Sequence, residues 1–166
     1  MIPFWVIWGL LVVQRLAELA LARRNTARLL AGGAIEHGAR HYPLFVVLHT
    51  AWLATLILAG DPALPVHPAW IAAFLVLQAG RVWVIASLGR YWTTRIIVVP
   101  GAPMVRRGPY RFMRHPNYVV VIAEFLVISL MANLAWVAIV FSLLNAALLA
   151  WRIRIEEGAN ASRVSD

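Results

Sequence analysis

From Asn117 to Ile155 the chain is mostly apolar, with Glu124 inside it, Arg152 and Arg154 near its end and one interruption at Met131-Ala132-Asn133-Leu134. A run of this length constrains the fold more than any other feature. In hydrocarbon every backbone N–H and C=O must be paired within the protein, and a helix does so inside its own segment. The stretch predicts a tight helical hairpin, the fourth and fifth of five membrane spans. Asn117 to Met131 covers only about 22 Å at 1.5 Å per residue, against a hydrocarbon core of about 30 Å. The fourth span is therefore expected to tilt little or to start inside the membrane boundary.

Three earlier apolar runs complete the set: Pro3 to Leu21, Pro43 to Ala59 and Pro68 to Leu88. The first resembles a secretory leader at Ala20-Leu21-Ala22, but no basic residue precedes it, and Gln14, Arg15 and Glu18 interrupt its end. It is read as a retained span. A hydrophobic content of 62%, a mean hydropathy of +0.76 and only 13% charged residues agree with an all-α integral membrane protein. Its 166 residues suffice for one domain, 1–166, with its chemistry-bearing core at 89–157.

The net charge of +8 comes from arginine alone, and there is neither lysine nor cysteine. So apolar a chain points this charge toward an anionic lipid surface, not nucleic acid. The absence of cysteine excludes disulfides, thiolate nucleophiles and cysteine metal sites. Arginines crowd the segments after the first, third and fifth spans and are absent from the other two connections. The positive-inside rule then puts the N-terminus outside and the C-terminus in the cytoplasm. A bacterial inner membrane is the expected location.

Polar residues inside apolar helices are costly and serve as functional markers. Arg15 and Glu18, three apart, are expected near the cytoplasmic interface, Arg15 snorkelling outward; the alternative is a polar wall of a buried site. His49 stands alone in the second span, either as a packing residue or facing a cavity. Arg81 in the third span is the obvious partner for Glu124 in the fourth, as a structural pair or as part of a substrate site. His37 and His41 have a helical metal-ligand spacing, but Gly38, Pro43 and the lack of a third ligand argue against it, and no metal site is expected.

Between Pro62 and Ala123 there is no acidic side chain but there are seven arginines, six of them from Arg90 to Arg114. Thr93 to Val99 is rich in β-branched residues, and Val99-Pro100-Gly101-Ala102 fits a turn, predicting a local extended hairpin over the cytoplasmic mouth. Next comes Gly108-Pro109-Tyr110-Arg111-Phe112-Met113-Arg114-His115-Pro116-Asn117-Tyr118. Its prolines predict a short helical turn from Pro109 to Met113, a break, and a new helix near Pro116. The free N–H groups of that helix suit an anionic group. At the far end of the fifth span stand Glu156 and Glu157, whose simplest role is an interfacial helix end with an Arg152–Glu156 pair. Adjacent helical residues point about 100° apart, so both carboxylates cannot face one point equally.

On the cytoplasmic face these features combine a carboxylate pair, guanidinium groups, a helix N-terminus and the aromatics Trp92, Tyr110 and Phe112. S-adenosylmethionine, with its ammonium, carboxylate, base and ribose hydroxyls, suits such a set, which permits that ligand without demanding it. The Gly-Pro-Tyr-Arg-x-x-Arg-His-Pro-Asn-Tyr motif at Gly108–Tyr118, the apolar hairpin and Glu156-Glu157 resemble the isoprenylcysteine carboxyl methyltransferase family. Phospholipid N-methyltransferases share the later part of the pattern. Arg15-Leu16-Ala17-Glu18-Leu19, Ala22-Arg23-Arg24-Asn25 and Gly33–Pro43 resemble a bacterial branch, some of whose members methylate hydroxyls of alkylpyrones and alkylresorcinols.

The resemblance implies a membrane methyltransferase using S-adenosylmethionine, releasing S-adenosylhomocysteine, and taking a lipid-tailed or prenylated acceptor from the bilayer. It implies that Tyr110, His115, Pro116, Tyr118, Glu156 and Glu157 hold the cofactor, with His115, Arg111 and Arg114 at the reacting centre. His49, Arg81, Trp92 and Glu124 are candidate acceptor contacts. An anionic carboxylate or enolate acceptor suits the arginine-rich loop, so O-methylation is expected; N-methylation of a phospholipid amine is the alternative. An NADPH-dependent membrane reductase and a non-enzymatic lipid-binding protein are the readings from other classes. Oligomeric state is not legible.

Overall fold

A computed structural model describes residues 2–161. Five helices run α1 Phe4–Ala31, α2 Tyr42–Ala59, α3 Pro68–Leu88, α4 Pro116–Met131 and α5 Ala135–Ala161. Four are long and apolar enough to cross a membrane, and α4 is a shorter apolar helix. At 16 residues α4 spans about 24 Å, close to the length expected from sequence and short of a hydrocarbon core of about 30 Å.

Local sequence sets most boundaries. Proline occupies the first turn of α2, α3 and α4, where its missing N–H would be unpaired in any case. The His67 side chain caps α3 by accepting from the Ala69 N–H. Asn133, at φ 58°, turns the chain between α4 and α5, and its N–H donates to the Leu130 carbonyl. α1 is longer than its apolar run: it continues through Arg23, Arg24 and Arg28 to Ala31, because nothing breaks it before Gly32-Gly33. The arginine-rich segment after the first apolar run is therefore helical as far as Ala31.

The main core joins α1, α2, α4 and α5 through Phe4, Leu11, Trp52, Leu56, Phe125 and Val137. Trp52 stacks on Phe125 at 4.3 Å and donates to Ser129 Oγ. Val13, Leu58, Val76 and Leu143 on the outer faces are exposed, as lipid-facing positions would be. The helix ends sort into two groups. At one end an isolated bridge pairs Pro3 with Pro65, and Phe4 N–H donates to the Leu64 carbonyl.

At the other end β1 (Ile35–His37) pairs antiparallel with β2 (Ile96–Val98), Glu36 opposite Ile97. Arg95 clamps the Glu36 carboxylate at 3.0–3.1 Å. The expected hairpin within Thr93–Ala102 is thus replaced by a pairing between two distant loops. Val99–Ala102 does form a turn, with the Ala102 N–H on the Val99 carbonyl. Asn25 of α1 donates to the Gly89 and Trp92 carbonyls, fixing the start of that connection. These loops and the C-terminal end of α5 share one face, as the arginine pattern requires.

Candidate functional site

Gly108–Arg111 forms one turn of 3-10 helix, held against α3 where no side chain would fit: a Cβ on Gly108 would lie 2.0 Å from Ser87 Oγ. Gly108 also sits at φ 57°, a conformation glycine adopts without strain. Arg107 donates from Nε to the Ser87 carbonyl and locks the approach. The chain then breaks at His115 and starts α4 at Pro116, as the two prolines predict.

This path delivers His115 and Tyr118 to the end of α5. Their rings stack at 5.1 Å and 10°. Tyr118 donates its hydroxyl hydrogen to Glu156 Oε2 at 2.5 Å and accepts from Arg152 Nε at 2.8 Å. Arg152 also donates from Nη1 to the Thr94 carbonyl. The expected Arg152–Glu156 pair is therefore mediated by the Tyr118 hydroxyl, because Tyr118 reaches between them. The His115 ring lies between both carboxylates, Nδ1 3.9 Å from Glu156 and Nε2 3.9 Å from Glu157. One imidazole thus meets two carboxylates that diverge along the helix. His115 Nε2 is buried and has no hydrogen-bond partner among the described residues.

Arg114 is exposed and 4.0 Å from Glu157. Arg111 is also exposed and lies over the Phe112 ring at 4.3 Å. Phe112 faces outward. Pro116 is buried at the first position of α4. Tyr110 is partly buried, and burial, followed by the nearby Glu156 carboxylate, pushes its phenol up, so it remains protonated.

A cavity of about 240 Å³ opens beside this cluster, sharing Tyr118 and Arg152 with it. Its walls include Val12, Leu16, Phe45 and Leu53, a lining suited to a hydrocarbon chain. Arg15, Glu18 and Arg81 line it as well, and with Glu124 they form a four-residue ion network. Arg81 holds Glu18 through two hydrogen bonds of 2.6 Å and reaches Glu124 at 3.2 Å. Arg15 bridges the same carboxylates at 3.0 and 2.6 Å. The expected Arg81–Glu124 pair is present, but Arg15 does not snorkel outward. Two arginines and two glutamates give a neutral set, which lets all four stay inside an apolar bundle.

His49 also lines the cavity; its Nδ1–H donates to the Phe45 carbonyl and its ring meets Phe125 edge-on at 5.0 Å. Trp92 is buried in the wall beneath the Arg81 guanidinium. The four candidate acceptor contacts, His49, Arg81, Trp92 and Glu124, thus gather at one cavity and its supporting network. Among the lining residues that escaped the sequence reading are two carboxamides, Asn117, quoted only as part of the motif, and Asn145. A carboxamide four and seven residues before Leu149 and Arg152 was the available signal.

The family model described as isoprenylcysteine carboxyl methyltransferase (ICMT) matches residues 70–162, from α3 through the terminal glutamates. The chain belongs to this family. It is 43% identical to the uncharacterized protein YpbQ of Bacillus subtilis (strain 168), over 94% of this chain and 95% of that one. An uncharacterized protein of Haemophilus influenzae (strain ATCC 51907 / DSM 11121 / KW20 / Rd) is 30% identical, over 87% of each chain. No solved structure matches. Family membership makes the chain a membrane-associated methyltransferase of the S-adenosylmethionine-dependent kind. The matched region carries Tyr110, His115, Tyr118, Glu156 and Glu157, whereas Arg15, Glu18 and His49 lie before it.

Proposed function

We propose that the protein transfers a methyl group from S-adenosylmethionine to an oxygen of a lipid-tailed acceptor that enters from the bilayer. The observation that carries this reading is the continuity of two unlike sites through Tyr118 and Arg152. On the loop side stand two carboxylates and a buried imidazole nitrogen with no hydrogen bond among the described residues; on the membrane side lies an apolar-walled cavity. The donor set fits the cofactor: Glu156 and Glu157 suit its ammonium and hydroxyls, His115 Nε2 offers a free hydrogen-bonding position, and Arg114 suits its carboxylate. Pro116 fixes where α4 starts, and Tyr110 closes the cluster as a neutral phenol.

When bound, S-adenosylmethionine supplies an electrophilic sulfonium methyl. The residues of this chain then have two tasks, alignment and water exclusion. Tyr118, held between Glu156 and Arg152, fixes the boundary between the two sites. Arg152, at the boundary of the two sites, favours an oxygen nucleophile in its anionic form, a carboxylate or an enolate, over an ammonium, whereas Arg15 and Arg81 are balanced by Glu18 and Glu124. The same cation disfavours a phospholipid amine. His115 orients the reacting groups, with Arg114 contributing charge at the rim; Arg111, over Phe112, is assigned to the loop surface.

One domain, 1–166, performs both tasks in a bacterial inner membrane, with its N-terminus outside and the arginine-rich loops in the cytoplasm. Ligand titration of the purified protein tests the cofactor half of the proposal. S-adenosylmethionine should raise the unfolding temperature in a concentration-dependent way, and NADPH should not. Stabilisation by NADPH alone refutes methyl transfer, and stabilisation by neither favours a lipid-binding protein.

A further inference from the structure

Asn145 is fully buried in α5, yet among the described residues neither its Nδ2 nor its Oδ1 has a hydrogen-bond partner. It lines the cavity that also holds Tyr118 and Arg152. A buried carboxamide with both ends unpaired costs several kcal/mol in a dry site, so such groups mark places where a ligand or water completes the pairing.

Its depth follows from the helix register. Tyr118 of α4 meets Arg152 of α5, and the two helices form an antiparallel hairpin. Seven residues inward along each helix bring Phe125 level with Asn145, about 10 Å farther from the cytoplasmic cluster at 1.5 Å per residue. His49, edge-on to Phe125, lies at that depth. With Nδ1–H committed to the Phe45 carbonyl, its neutral Nε2 is an acceptor. Arg15 also lines the cavity, and its Nε is a second donor without a hydrogen bond among the described residues. The inner end therefore offers donors from Asn145 and Arg15 and acceptors from Asn145 and His49. A plain hydrocarbon chain satisfies none of them. A hydroxyl, which donates and accepts, satisfies one of each.

Building on the membrane-side acceptor route proposed above, we infer that Asn145 is a specificity-determining residue for a second polar group on the acceptor. That group, a hydroxyl or a comparable donor–acceptor pair, lies about 10 Å deeper in the membrane than the atom to be methylated. The acceptor is then not a simple polar head on an uninterrupted alkyl tail. A pocket built to hydrogen-bond a hydroxyl discriminates strongly against the analogue lacking it, because its own groups are left unpaired.

Two fatty acids serve as probes: hexadecanoate, and 9-hydroxyhexadecanoate, whose hydroxyl stands at a comparable distance from the carboxylate. Their dissociation constants are measured on the purified full-length protein, wild type, Asn145→Leu and Asn145→Ser. The wild type should bind the hydroxylated acid at least about tenfold more tightly, the value of one well-made hydrogen bond to an otherwise unpaired group. Asn145→Leu should abolish or invert that preference, and Asn145→Ser should restore part of it. Equal affinity in the wild type, binding of neither acid, or a preference that survives Asn145→Leu overturns the inference; in the first case water alone meets the carboxamide. These outcomes are read from lipid binding, so they are independent of whether S-adenosylmethionine binds or methyl transfer occurs.

Discussion

Replacement of Arg81 by methionine should destabilise the folded protein by about 3–5 kcal/mol, the usual cost of breaking a buried ion network from one side. The structure supplies the reasons. Arg81 is 5% exposed and donates three hydrogen bonds, two to Glu18 and one to Glu124. Methionine fills much of the same volume, so packing loss is small and the electrostatic part dominates. Arg15 remains between the two carboxylates, leaving one negative charge uncompensated where Glu124 is 1% exposed. The double variant Arg81→Met/Glu18→Gln returns the set to neutrality. Its cost should fall short of the sum of the single variants by about 1–3 kcal/mol. Equilibrium unfolding in mixed micelles, followed by tryptophan fluorescence, measures all three. A single-variant cost below about 1 kcal/mol, or strict additivity in the double variant, refutes the closed, neutral network.

Glu156→Gln and Glu157→Gln should both weaken S-adenosylmethionine binding in calorimetric titration. Glu156→Gln should lose about 1.5–3 kcal/mol because Glu156 also receives the Tyr118 hydroxyl, and the more exposed Glu157 should matter less. Unchanged affinity in both variants returns the pair to an interfacial helix end. His115→Ala should remove most methyl transfer while leaving the unfolding temperature near wild type; full activity per folded molecule removes His115 from the site. Cysteine introduced at Ala102 should react with an impermeant thiol reagent only from the cytoplasmic side, and one at Pro62 only from the other side. The reverse pattern overturns the orientation.

The helical bundle was legible because hydropathy and proline position are local signals. Pro43, Pro68 and Pro116 mark three helix starts that the structure keeps. The β1–β2 pairing was not legible: each strand has three residues, and their partners are some sixty positions apart. Arg15 was misread because snorkelling is the default for one arginine near a helix end. Its inward course depends on Glu124, which α4 brings from over a hundred residues away. The cluster around His115 was readable from Gly108–Tyr118 and Glu156-Glu157, yet not the mediation by Tyr118. The separation of about 100° between adjacent helical residues argued against both carboxylates meeting one partner. An imidazole with a nitrogen at each end resolves that objection. Asn145 carried no local signal beyond being a carboxamide among apolar residues, and its burial without a partner is a tertiary fact.

Incubation of the purified protein, reconstituted in vesicles, with methyl-labelled S-adenosylmethionine and a native lipid extract tests the central claim directly. The predicted result is label in a single class of lipid-soluble product, carried on oxygen as an ester or ether and absent when His115→Ala replaces the wild type. Label on a phospholipid nitrogen, or no lipid label from folded protein that binds S-adenosylmethionine, would contradict it.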